Sequence, residues 1–592
     1  MLNMKKIFNI LTLAAVSVAF TSCDDLFEPA IENNLGLEYM YNNPQYAEGV
    51  LGNAYTRIPC ADFPFSEVAT DDAVSNDADN SWRKIASGTW TSDNNPSERW
   101  RNCRSAIMYI NLFLANADKV DWAKDEMASR MFNDREKGEA YGMRAMYMYY
   151  LLQAHGGLTT DGQLLGVPIV TEPEDASSEF NVPRNTFAEC MKAIYDDCDR
   201  ALALLPTNYQ DITNASQIPA KYQGANVGQY NRVFGSHFQL RMSGAIVEAF
   251  RSKAALLAAS PAFEKSGATM AEAADYAAVV LDRIGGVAGM DPKGWTWYCN
   301  AEIDALADGE LPKEVLWRGE VEKSGSNDRE ADMFPPSLYG KGRINPTQNF
   351  VDAFPMANGY PIDNANSEYN AADPYAGRDP RLAAYVVYDG NVAGHNKTTI
   401  NTTVDDATNR DGLNNVVGSS TRTGYYMRKL LRQDINLDPS SKTTQKHYNA
   451  RIRFTEIFLN YAEAANEAWG PTGKGSHNYS AYDIIKALHD RAGVGNDYLE
   501  SIKNDKDKMR ELIRNERRIE LSFEGFRFWD LRRWKANLTE PAKGISIKTV
   551  GGKKTYTAIE VDQRNYKDYM IYGPVPYSEM LKFNSLQQNQ GW

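Results

Sequence analysis

Apolar residues recur at helical spacing through most of the first 285 residues and again between 451 and 524, which commits the chain to packed α-helices. Asn43-Pro44 reads as an N-cap with proline at the first helical position, and Ala47, Val50, Leu51 and Ala54 then share a face. Helices are predicted over 102–117, with Ile107, Ile110, Leu114 and Ala117 on one stripe, and over 134–154, stopped by Gly156-Gly157. Thr186–Leu205 starts with the capping-box pair Thr186 and Glu189 and is stopped by Pro206. Ser243–Ser260 and Glu272–Ile284 follow, then 451–468, 481–491 and 506–524. Small residues at the crossings suggest tetratricopeptide-like helix pairs, in which one pair cannot bury its apolar face without its neighbours.

Between about 286 and 450, Gly, Pro, Asn and Asp become frequent, and short runs such as Glu314–Trp317 and Ala384–Tyr388 read as strands in a loop-rich region. Residues 391–420 read as a mobile exposed loop, and the tail 540–592 as irregular. With 592 residues, 43% hydrophobic and 11% aromatic, the chain can bury a large core and is no disordered scaffold. Its net charge of −13 argues against binding a nucleic-acid backbone.

The N-terminus reads as an export signal. Lys5 and Lys6 precede an apolar run from Ile7 to Phe20, which is too short to span a bilayer core of ~30 Å. The run ends in Phe20-Thr21-Ser22-Cys23, which resembles a lipobox, although Phe20 stands where leucine is usual. In that reading 1–22 are removed and Cys23 carries the lipid anchor; a plain secretory signal with an incidental cysteine is the other reading. Asp24 and Asp25 resemble the surface-export signal of Bacteroidota lipoproteins. Cys190 and Cys198 lie eight apart on a predicted helix, ~12 Å, too far for a disulfide, and no C-x-x-C occurs.

Enzyme patterns are missing. The six histidines are scattered without H-E-x-x-H, and there is no G-x-S-x-G elbow and no P-loop. Asn409, Asp411 and Gly412 only partly match a calcium loop, so no cofactor is expected, although a structural calcium ion on other loop oxygens stays open. Glu456, Glu463 and Glu467 share one helix face and read as structural rather than as a glycosidase pair.

The stretch RNERRIELSFEGFRFWDLRRW at 514–534 resembles the C-terminal hallmark of the SusD/RagB family. Other blocks agree in order: KGEAYGMRAMYMYYLLQAHGG at 137–157, GVPIV at 166–170, KAALLAASPAF at 253–263 and NPTQNFVDAFPMANGYPI at 345–362. RDPRLAAYVVYDG at 378–390, TGYYMRK at 423–429, RFTEIFLNYAEAANEA at 453–468 and GPVPYSEMLKFNSLQQNQGW at 573–592 complete the series. The resemblance implies a mostly α, SusD-like fold: four tetratricopeptide-like helix pairs supporting an irregular, loop-rich ligand-binding region. On that basis 23–285 is the N-terminal helical part, 286–450 the ligand-binding insertion, and 451–592 the completing helices and tail. It also implies a non-catalytic, surface-exposed outer-membrane lipoprotein that hands glycan to a SusC-like TonB-dependent barrel. Within the hallmark, Arg527 and Asp530 are expected to pair near the helix end, with Glu516, Arg517 and Glu520 in helix-face ion pairs.

A pyranose offers an apolar face to an aromatic ring and a rim of hydroxyls to Asp, Asn, Arg or Gln. Two segments meet that requirement. Asp71 and Asp72 lead to Trp82 and Arg83, and Trp295, Trp297 and Tyr298 follow Pro292 and Gly294. Family members often carry sugar-stacking aromatics at comparable places. For each of these rings, packing is the competing role. The expected ligand is an oligosaccharide or polysaccharide; the other readings are a peptide-binding lid of the RagB branch and a polysaccharide-degrading enzyme.

Overall fold

The structure, a computed structural model, describes residues 36–59, 65–299, 301–306, 310–319 and 325–592. The signal segment 1–22 and the lipidation candidate Cys23 lie outside them.

Eight helices build the frame: α1 (Pro44–Tyr55), α2 (Trp100–Asn116), α3 (Glu126–His155), α4 (Phe187–Leu204), α5 (Gly244–Ala259), α6 (Met270–Asp282), α7 (Phe454–Trp469) and α8 (Ala481–Ala492). Each packs on the next, giving the pairs α1/α2, α3/α4, α5/α6 and α7/α8. The stack closes with α9 (Lys506–Glu520) against α7, followed by the short α10 (Arg527–Arg533). The frame is therefore mostly α, as expected.

The caps explain most boundaries. Thr186 Oγ1 accepts from the Glu189 N–H at 3.2 Å while the Thr186 N–H donates to Glu189 Oε2 at 2.8 Å, a reciprocal cap worth ~1 kcal/mol. Helix α3 starts earlier than its periodicity indicates, because Asp125 accepts from the Ala128 N–H at 2.8 Å. At α1 the expected N-cap fails: the Asn43 side chain turns back to the Tyr39 carbonyl, 2.8 Å away, and only Pro44 acts as foreseen. Cys103, Cys190 and Cys198 are free and buried, and burial pushes the Cys198 thiol up to about 12.

The loop-rich half is held by small antiparallel pairings. β1 (Ala73–Ser75) pairs with β3 (Ile344–Pro346), and β2 (Val315–Arg318) with β4 (Ala450–Arg453). Ala384 and Tyr385 end a helical turn, Pro380–Tyr385, and only Val386 and Val387 are strand. The stretch 391–420 is not a loose loop: Thr402, Thr403, Asp411 and Ser420 are buried, and Val392–Ala393 pairs with Thr398–Thr399. Its polar side chains bond the backbone and fold the loop onto the body, as in Ser420 Oγ to the Arg410 carbonyl, 2.5 Å. The tail is also more regular than expected. β5 (Ala542–Val550) and β6 (Lys553–Asp562) form a long hairpin closed by Gly551-Gly552, both at positive φ, as a two-residue hairpin turn demands.

One apolar core runs through the helix stack, and a second, built on Phe350, Phe354, Tyr385, Tyr425 and Phe523, lies under the loop-rich half. Arg381, with no exposed surface, stands between the two halves. Its Nη1 donates to Glu516 Oε2 at 2.7 Å and Glu520 Oε1 at 2.9 Å, and its Nη2 to Asp379 Oδ2 at 2.7 Å. Removing this guanidinium takes the ion-pair partner from buried Asp379 and one of the cations from Glu516 and Glu520, which keep His489 and Arg491. Arg381→Leu is expected to lose at least ~3–5 kcal/mol of stability, checked by denaturant unfolding; an unchanged midpoint would contradict the cross-link.

Candidate functional site

The chain reverses direction between α9 and α10 through Leu521–Phe526, with Gly525 at φ 78°. The Gly525 N–H donates to Glu67 Oε1 at 3.1 Å, and this turn presents Phe526 and Trp529 to an open space beside α2, α3 and α5. That space is a cleft of about 1180 Å³. Half-buried Trp82, Tyr150 and Phe526 line it, with Asn53, Asn102 and Gln153 as amide donors and acceptors.

Arg99, just ahead of α2, organises one wall. Its guanidinium lies 4.8 Å from the Tyr150 ring centre and 4.6 Å from that of Trp529, while Nη1 donates to Gln153 Oε1 at 2.7 Å. The cation clamps two rings that line the cleft. Burial lowers the Arg99 pKa from its ordinary value, with Tyr150 opposing the shift.

The cleft's carboxylates are engaged. Glu456 is 2.7 Å from Lys253 Nζ; Glu524 is 2.7 Å from both Lys429 Nζ and Arg453 Nε. Asp530 accepts from Arg517 at 2.7 Å and from Arg533 at 2.8 Å, and Glu98 accepts the Arg101 N–H at 2.8 Å. Burial disfavours the Glu524 carboxylate, but Arg453 and Lys429 outweigh it and hold its pKa below the ordinary value. Glu463, behind the cleft, is held at about 2, because a double contact with Arg533 (2.6 Å to each oxygen) overcomes its burial. Among the described residues no group of three or more His, Cys, Asp or Glu side chains is arranged to hold a metal ion.

Of the residues singled out in the sequence for sugar contact, only Trp82 lines the cleft; its ring stands edge-on to Phe528, 5.3 Å away. Asp71 and Asp72 are ion-pair partners rather than sugar contacts. Arg527 holds Asp71 through Nε at 2.9 Å and Nη2 at 2.8 Å, and Arg518 Nε donates to Asp72 Oδ1 at 2.7 Å. Burial works against ionisation of Asp71, yet Arg518 and Arg527 hold its carboxyl well below the usual range. The expected Arg527–Asp530 pair is thereby replaced, since Arg527 reaches Asp71 and Asp530 takes Arg517 and Arg533. Arg83 donates to the Asp77 carbonyl at 3.2 Å, away from the cleft.

Trp297 and Tyr298 are 3% and 4% exposed, packed edge-to-face in the second core, and offer no ring face to a sugar. Trp295 is half-buried, 6.4 Å from Tyr385. Their segment looked like an exposed loop because its long-range neighbours, such as Tyr385, are invisible in local composition. Conversely, Tyr150 sits in a Tyr/Met-rich stretch that reads as core, and Tyr149 indeed is core. Tyr150, five residues before the end of α3 at His155, is only half-buried and lies under the Arg99 guanidinium.

A mostly helical frame of stacked pairs carries a loop-rich cap and a large cleft with aromatic walls. No helix among the described residues is long and apolar enough to cross a membrane. A family profile described as "SusD family" matches residues 313–592, and one described as "Starch-binding associating with outer membrane" matches 45–224. The chain belongs to the SusD/RagB family. A SusD-like protein from Bacteroides fragilis superposes with a TM-score of 0.70 at 21% identity, over 95% of this chain and 100% of its own. A SusD-like carbohydrate-binding protein from the same species gives 0.67 at 20%, over 93% and 100%. A SusD superfamily protein from Parabacteroides distasonis gives 0.58 at 17%, over 93% and 100%. No curated protein matches significantly.

Glu67 lies buried behind the cleft wall, beside Asp72; burial, reinforced by Asp72, pushes its pKa up to about 8. The folded state thus keeps a proton that the unfolded chain releases near 4.5. The stability from this group is complete below about 4.5 and is lost as pH rises toward 8. Glu67→Gln is expected to leave the thermal midpoint unchanged at pH 4 and raise it at pH 9. Equal shifts at both pH values would contradict a protonated Glu67.

Proposed function

We propose that the protein is a lipid-anchored, surface-exposed outer-membrane protein that captures an oligosaccharide in this cleft and passes it intact to a SusC-like TonB-dependent barrel. The observation that carries the reading is the cleft itself: about 1180 Å³, lined by Trp82, Tyr150 and Phe526 next to amide and guanidinium side chains. Small-molecule pockets usually span ~300–1,000 Å³, so this volume suits a segment of chain rather than a monosaccharide. Flat rings supply apolar contact to pyranose faces at little entropic cost, and Asn53, Asn102 and Gln153 match the hydroxyl rim. The outer-membrane description of the matched family and the carbohydrate-binding description of the relative from Bacteroides fragilis support the same reading.

A binding role rather than catalysis accords with the engaged carboxylates. A glycosidase needs an acid whose pKa is raised near neutrality and a second carboxylate facing the substrate. Glu456, Glu524 and Asp530 instead meet Lys253, Arg453 and Arg517 directly, and Glu67, the acid raised to about 8, is sealed behind the wall. The anchor would be Cys23, with 1–22 removed on export.

Affinity electrophoresis against a glycan panel tests the site. One polysaccharide should retard the wild type, and Trp82→Ala and Tyr150→Ala should each weaken that retardation, by up to about tenfold for a lost aromatic contact of ~1.5 kcal/mol. Unchanged retardation in both variants would remove the cleft as the site, and shortened products would make the protein an enzyme. Cys23→Ser is expected to abolish labelling with radioactive palmitate and to release the protein from the membrane fraction; continued labelling would refute the anchor.

A further inference from the structure

The cleft is charged against the trend of the whole chain. The protein carries a net charge of −13, yet seven basic side chains line the cleft against four acidic ones. Four of the basic groups have carboxylate partners: Lys253 meets Glu456, Arg453 meets Glu524, and Arg517 and Arg533 meet Asp530. The fourth acid, Glu98, accepts a backbone N–H at the start of α2.

Arg57, Arg99 and Arg451 remain. Arg57 Nη1 donates to the Asn53 carbonyl at 2.6 Å and lies 5.0 Å from the Tyr109 ring centre. Arg99 is the cation between Tyr150 and Trp529. Arg451 rests 4.6 Å over the Trp317 ring, and its Nε is buried without a hydrogen-bond partner. Among the described residues, none of the three has a carboxylate within ion-pair distance. All three line the same cleft; Arg57 and Arg451 both favour ionisation of the buried Tyr147 hydroxyl, and Arg99 that of Tyr150. Guanidinium groups held on aromatic faces are pre-oriented forks, and a carboxylate or sulfate is the complement of such a fork.

We propose that the glycan taken by this cleft is anionic, with a carboxylate or sulfate on the sugar seated against Arg57, Arg99 and Arg451. This rests on the glycan-binding reading above and specifies its substrate class. The flat aromatic contacts grip the ring, while the three guanidiniums select charge. A body of net charge −13 disfavours such a ligand on average, whereas the lining of the cleft carries more basic than acidic side chains.

Titration calorimetry on the full chain tests this with three probes of similar length: oligogalacturonate, chondroitin sulfate oligosaccharide and neutral malto-oligosaccharide. At least one anionic probe should bind tenfold or more tightly than the neutral one, with affinity falling as salt rises from 50 to 500 mM. Preference for oligogalacturonate assigns the carboxylate, and preference for the chondroitin oligosaccharide assigns the sulfate. Arg57→Gln and Arg451→Gln should each weaken the anionic probe about tenfold and the neutral probe by much less, and equal losses for both probes would contradict charge selection; the salt series on the wild type carries the test should either variant fail to fold. Neutral binding that is equal, insensitive to salt and lost in Trp82→Ala would overturn the charge assignment while the glycan reading stands. Absence of binding to all three probes and to the full glycan panel would overturn both.

Discussion

Three carboxylates converge on the buried guanidinium of Arg381, and the joint between the loop-rich half and the helix stack depends on that meeting. Glu516 and Glu520 come from α9, whereas Asp379 comes from the insertion. The contacts continue outward: His489 Nε2 sits 3.1 Å from Glu516, Arg491 donates to Glu520 at 2.8 Å, and Arg453 donates to Glu314 at 2.8 Å. Charges this deep are tolerated only when paired and hydrogen-bonded, so each member restricts where the others can lie. Burial alone would neutralise Glu516, yet Arg381 and His489 hold its carboxyl well below the usual range. The hallmark helix is therefore a multi-way cross-link, with its charges turned toward distant segments rather than along its own surface.

The cleft is a consequence of that joint. Glu524 is fixed by Lys429 and Arg453, and Gly525 by Glu67, so the turn leaving α9 has one position. Phe523, at φ 60°, adopts the left-handed conformation that non-glycine residues avoid, and its burial against Phe350 holds it there. The turn delivers Phe526 and Trp529 to the space beside α3, where Arg99 locks Trp529 to Tyr150. A binding surface supported by ion pairs behind it is pre-organised, which reduces the ordering cost a flexible ligand imposes.

The separation of charge follows from the same arrangement. Glu456, Glu524 and Asp530 are paired with neighbouring cations, whereas Arg57, Arg99 and Arg451 rest on aromatic rings with no carboxylate of the described residues within ion-pair distance. An arginine on a ring keeps its hydrogen-bonding edge available, because stacking uses only its face. The wall is thus both apolar and cationic, two properties that seldom coincide on a surface of net charge −13.

Helical periodicity and caps are local, so the sequence alone determined the helix frame: the capping box at Thr186, the stop at Gly156 and the apolar stripes of α2 and α6 all act within a few residues. The ordered series of family blocks carried the architecture further than periodicity does. The hairpin at 542–562 was legible in principle, through Gly551-Gly552 between two β-prone runs, but its length hid in a polar composition. Tertiary structure decided everything that depends on partners far away in the chain. It took Trp297 and Tyr298 into a core, bound Asp71 and Asp72 to Arg518 and Arg527 more than 440 positions away, and opened the wall at Tyr150. Exposure and charge pairing are properties of what stands opposite a side chain, and no local window of sequence contains that neighbour.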